Sequence, residues 1–143
     1  MIEIITDVHN LEGTCYIEIL PDIYKGECWN TSSIYFTEEN FSYMLPVFEK
    51  CCKEFDYYAF NEIDIDTWKV ISFELEQLKI FLTEKPIKIS LKEVLGFPFV
   101  YSEKEFMENY DTNSAQLITM ITQFQLWIQK KSLVTSFISV LGI

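Results

Sequence analysis

Between residues 64 and 83 the apolar side chains Trp68, Ile71, Leu75, Leu78 and Leu82 recur at steps of three, four, three and four, with Glu74, Glu76 and Lys79 on the opposite side. A stripe of that kind is stable only against a second layer, so the chain must supply a sheet or another helix to cover it. Asp64 or Asp66 can cap the start of this helix, and Pro86 ends it. The partner layer is written in the first third of the chain, where β-branched alternation over residues 2–6 and 14–20 predicts two neighbouring antiparallel strands. Residues 33–36 add a third strand after a turn-rich stretch around Pro21, Asp22 and Gly26. Tyr16, Glu18 and Leu20 do not alternate cleanly with their neighbours, which leaves the wet face of this meander undefined.

Thr37 has the character of an N-cap, with Glu38 and Glu39 where the positive end of a helix dipole favours them. Phe41, Met44, Leu45, Phe48, Cys52 and Phe55 follow at helical spacing, and Pro46 within that pattern kinks or divides the helix. Residues 57–60 read as a fourth short strand or a connecting loop, and residues 87–91 as a strand or an extended connection before the break at Gly96 and Pro98. A short helix over 103–110 precedes a long one opened by Asn113 or Ser114, with Leu117, Met120, Ile121, Phe124, Trp127 and Ile128 on its buried side. Val134, Phe137, Ile138 and Leu141 fit a helix and a strand almost equally. At 143 residues, without repeat or linker, the expectation is one α+β domain over 1–143, a small antiparallel sheet from the N-terminal half packed against three or more helices.

Charge is distributed unevenly along this framework. Fourteen Asp and Glu face three Lys in the first 66 residues, whereas the remainder balances eight against eight, so the whole net charge of −11 belongs to the front of the chain. No Arg occurs, which removes the side chain best suited to two-pronged recognition of phosphate or carboxylate. Such a surface repels nucleic acid and acidic membranes and attracts cationic partners. The first nine residues carry Glu3 and Asp7 without a basic start or a long apolar run, and residues 133–143 are too short to span a bilayer, so a cytoplasmic protein is expected.

The search for chemistry is mainly negative. His9 is the only histidine, and although Asp7 and Cys15 are near it in sequence, nothing resembling an oxyanion-stabilising helix start accompanies them. Cys15, Cys28, Cys51 and Cys52 match neither a zinc ribbon nor a CxxC pair and are expected as free thiols, several of them buried. Vicinal Cys51 and Cys52 point about 100° apart on a helix, which favours packing over soft-metal binding. Glu62, Asp64 and Asp66 offer three carboxylates on alternate residues, but the Gly and Glu that complete a calcium loop are missing, and helix capping accounts for Asp64 or Asp66. No GxGxxG, Walker or GxSxG sequence is present, so no catalytic residue, metal site or cofactor is assigned.

What remains is the interleaving of acids and rings in two turn-rich stretches. PDIYKGECWN contributes Asp22, Tyr24, Glu27 and Trp29, and FDYYAFNEIDID contributes Asp56, Tyr57, Tyr58, Glu62, Asp64 and Asp66. Tyr and Trp anchor protein interfaces because they bury much apolar area at small entropic cost, and surrounding carboxylates steer a basic partner. The strand and acidic helix FTEENFSYMLPVFEKCCKEF, followed by FDYYAFNEIDIDTWKVISFELEQLKIFL, resembles the small immunity proteins of bacterial polymorphic toxin systems, including contact-dependent growth inhibition. That resemblance implies a cytoplasmic, non-enzymatic protein that covers the active site or substrate groove of a cognate toxin domain, frequently a basic nuclease, binding neither nucleic acid nor membrane itself. Two other readings stay open: an acidic adaptor for a cellular protein unrelated to toxins, and a small enzyme built on the carboxylates and a divalent ion.

Overall fold

The computed structural model describes residues 1–84 and 88–142, with the backbone alone at 88–90. After a single 3-10 turn at Val8–Asn10 the elements are β1 (Tyr16–Leu20), β2 (Ile34–Thr37), α1 (Glu38–Ser42), α2 (Leu45–Cys51), β3 (Phe60–Asp64), α3 (Ile65–Thr83), α4 (Lys88–Val94), α5 (Ser102–Glu108), α6 (Tyr110–Ser132) and β4 (Phe137–Leu141). The fold is α+β: one antiparallel sheet in the order β2-β1-β4-β3, with helices on one face.

Local chemistry explains most of the boundaries. Thr37 accepts from the Asn40 N–H at 3.2 Å and starts α1, and Pro46 in the first turn of α2 divides the predicted helix in two. Asp64 accepts from the Thr67 N–H at 2.8 Å and starts α3, which runs to Thr83 as its spacing requires. Pro86, the expected stop, lies outside the described residues. The strand or extended connection expected over 87–91 gives way to α4 from Lys88 onward, while residue 87 lies outside the described residues. The last long helix starts at Tyr110, ahead of Asn113 and Ser114, because Asn113 instead donates to the Phe106 carbonyl at 3.1 Å and closes the end of α5.

Two strand assignments change. Residues 2–6 form no strand of the sheet and bridge to it only at Ile5, which pairs with Tyr35 on the outer side of β2 rather than with β1. The place beside β1 is taken by β4, so the sheet draws its fourth strand from the far end of the chain. β1 and β4 are buried along almost their whole length on both faces. The periodicity of FISVL was therefore ambiguous for a physical reason: a strand covered on both sides loses its polar alternation.

The inner sheet face carries Ile17, Ile19, Ile34, Phe36, Ile63, Ile138 and Val140. Against it pack the α3 stripe and Leu117, Ile121, Phe124 and Ile128 of α6. Trp68 sits at the centre, fully buried, edge-on to Phe48 at 5.6 Å and to Phe124 at 5.9 Å, with its Nε1–H donating to the Ile138 carbonyl at 2.9 Å. That one side chain ties α2, α3, α6 and the inserted strand together. Among the described residues no helix packs on the opposite face of the sheet.

Candidate partner-binding face

That second face is defined by register. Glu18 lies level with Tyr35 and Leu141, Phe60 with Leu141, and Glu62 with Ser139, so these side chains project away from the helices together with Asp64 and Phe137. The connection between β1 and β2, residues 21–33, crosses over them as a strap. Glu18 is its fastening: 1% exposed, it accepts at Oε1 from the Trp29 N–H (2.6 Å) and at Oε2 from the Asn30 N–H (3.0 Å), Asn30 Nδ2 (2.8 Å) and Ser33 Oγ (2.5 Å). These bonds hold Trp29 at φ 62°, a left-handed conformation uncommon outside glycine. The Trp29 ring rests on Tyr16 and Tyr35, 6.3 and 6.0 Å away between centroids, and the Tyr35 hydroxyl donates to the Asn30 carbonyl.

At its other end the strap reaches the sheet edge. Ser139 Oγ donates to the Asp22 carbonyl at 2.6 Å, the Tyr24 N–H donates to Glu62 Oε2 at 3.2 Å, and the Tyr24 ring packs on Phe60 at 4.6 Å. Tyr24 and Glu62, 38 residues apart in sequence, thus meet beside Phe60, which is 46% exposed, while Asp22 is held next to them on Ser139. Lys25, the one lysine of the strap, is bound to Asp22 at 2.8 Å, and this bond together with the Ile23 N–H holds the Asp22 carboxyl below its ordinary range.

The remaining nominated residues spread around this centre. Asp56 accepts from the Tyr58 N–H at 2.9 Å and shapes the turn entering β3, leaving Tyr58 74% exposed. Tyr57 turns inward against Phe41 and is half-buried; burial, with Glu38 adding to it, pushes its hydroxyl up to about 12. Asp64 caps α3, and Thr67 lowers its carboxyl below the usual value. Asp66 is exposed, 3.8 Å from Lys69, and Glu27 is exposed within the strap. Trp29 is half-buried as an internal support. Glu18 and Phe60 were not singled out by sequence reasoning: a Glu between two Ile residues of a strand reads as solvent-facing until a loop is known to cover it.

Other candidate chemistry is dispersed. His9 donates its N–H to Asp7 in an exposed turn, and its Nδ1 lies 2.9 Å from the same carboxyl oxygen. Among the described residues no group of three His, Cys, Asp or Glu side chains is placed to hold a metal ion. All four cysteines are free thiols, but the expectation that several are buried is corrected: Cys15 and Cys28 are exposed, and Cys51 and Cys52 are half-buried against the core because they sit at the last turn of α2. Burial pushes the Cys52 thiol up to about 11 and raises Cys51 as well, and partial desolvation of the sulfur with nearby Glu18 raises Cys28 although the residue as a whole is exposed, so none of these three is poised as a thiolate. Two open grooves, of about 700 Å³ between the N-terminal segment and α6 and about 740 Å³ between α3 and α6, are lined by none of the nominated side chains. Among the described residues no helix is long and apolar enough to cross a membrane. Comparison with protein-family models, curated proteins and solved structures finds no match.

Proposed function

We propose that this chain is an immunity-type inhibitor that works in the cytoplasm, binding a cationic toxin domain of nuclease type and blocking it by occlusion. The observation that supports this most is the junction of the strap with β3, which gathers Asp22, Tyr24, Phe60 and Glu62 on the sheet face opposite the packed helices. Half-exposed rings flanked by carboxylates suit a surface that presses against basic side chains. The rings lose water and the acids find partners in the same step. A groove shaped to hold phosphate is lined with Lys and Arg, and a rigid acidic face can fill it where a flexible chain would lose more entropy on binding. The strap is held to the sheet by Glu18 at one end and by Asp22, Tyr24 and Ser139 at the other, so the face is organised before a partner arrives.

The test starts from the partner that copurifies with the protein from its native host. Charged encounter can raise association rates from about 10⁵–10⁶ to 10⁸–10⁹ M⁻¹s⁻¹ at low salt. Reversing two exposed acids together, Glu27→Lys with Glu62→Lys, is expected to slow association at least tenfold at low ionic strength and by much less at high ionic strength. Identical association rates for the variant and the native protein at every salt concentration would remove the steering argument.

A further inference from the structure

The backbone at the rim of this face suggests how a partner is held. Gly142 N–H donates to the Ala59 carbonyl at 3.0 Å and Ile65 N–H to the Ser136 carbonyl at 3.2 Å, so the odd-numbered residues of β3 are the ones bonded to β4. It follows that the N–H groups of Phe60, Glu62 and Asp64 and the carbonyls of Phe60 and Glu62 point away from the sheet. None of them has a hydrogen-bond partner among the described residues. Backbone groups in that state face water, since buried ones are nearly always paired. The other rim is treated differently: Ile5 exchanges two hydrogen bonds with Tyr35, at 2.9 and 2.8 Å, and occupies the edge of β2.

Edge strands are usually blunted by lysine, proline, a bulge or a covering segment, and FNEID has no lysine and no proline. Its protection is acidic. Two copies pairing edge to edge would bring Glu62 and Asp64 of one against the same acids of the other, and like charges across a strand pair are destabilising. A strand with Lys or Arg at alternate positions would meet opposite charges on the same register. We propose that β3 is extended by a β-strand from the cationic partner, its basic residues beside Glu62 and Asp64 and an apolar one beside Phe60. The inference rests on the cationic-partner reading and adds to it a binding mode, main-chain pairing at one sheet edge.

The probe is a ten-residue synthetic peptide alternating Lys with Thr or Val, blocked at both ends, added to the ¹⁵N-labelled protein at low salt. Saturable binding should slow amide exchange at Phe60, Glu62 and Asp64 at least tenfold. The same peptide N-methylated at alternate residues should not. Saturable, salt-sensitive binding with those three amides still exchanging freely overturns the strand pairing while leaving the cationic-partner reading in place. Absence of binding counts against both. Protection that appears without peptide and grows with protein concentration, together with a dimer in sedimentation, assigns the edge to a second copy and also overturns the proposal.

Discussion

Glu18→Gln separates the role of the buried carboxylate from its volume. Gln is nearly isosteric, but one carboxyl oxygen becomes an NH₂ that cannot accept. The least costly orientation puts that NH₂ at the Oε1 position, facing the Trp29 N–H and leaving one buried donor unpaired. The three donors at Oε2 keep a neutral acceptor in place of a charged one. An orphaned buried donor costs about 1–3 kcal/mol, and three bonds to a charged acceptor weaken by roughly 1 kcal/mol each when it becomes neutral. Relief from desolvating a carboxylate offsets part of this, so the expected loss is about 2–4 kcal/mol. For a chain of this length that lowers the unfolding midpoint by roughly 7–13 °C. Urea unfolding measures the loss, and amide exchange at Trp29 and Asn30 locates it: both amides should exchange faster even where the fold persists. A variant as stable as the native protein, with those two amides still protected, would refute the view that Glu18 fastens the strap.

Trp68→Phe should cost about 2–3 kcal/mol in urea unfolding, through lost volume and the loss of the indole N–H bond to the Ile138 carbonyl. Gly96→Ala would place a Cβ 2.1 Å from the Ser42 carbonyl oxygen, which only backbone movement can relieve, so a loss of about 1–3 kcal/mol is expected. Because the Asp64 carboxyl is held below its ordinary value near 3.8, its contribution is fully present above that pH and is lost as pH falls through the lowered value. Asp64→Asn keeps the cap but should flatten the stability profile in that acid range, measured by unfolding from pH 2 to 7. With Cys52 near 11, on the order of one molecule in a thousand carries thiolate at pH 8, so alkylation should reach exposed Cys15 first and Cys52 last, its rate still rising beyond pH 10.

The helices other than α4 were legible because their signals are local. Thr37, Pro46 and Asp64 each act within four residues, and the α3 stripe repeats often enough to set its own length. The sheet was less so, since its order depends on a strand more than 70 residues from its neighbour β3, and a closing segment buried on both faces carries no period of two. The same covering hid the role of Glu18. Acid and ring clustering did mark both stretches that now meet at Tyr24 and Glu62. What it lacked was the fold-dependent distinction between rings turned inward, Trp29 and Tyr57, and those left open, Tyr58 and Phe60.

Occlusion is tested most directly by titrating the purified protein into its copurified basic partner while following that partner's nuclease activity. The account predicts a linear loss of activity that reaches zero at one equivalent, with the Glu27→Lys, Glu62→Lys variant needing a clear excess at low salt. A complex that forms at one to one while cleavage continues undiminished would contradict it.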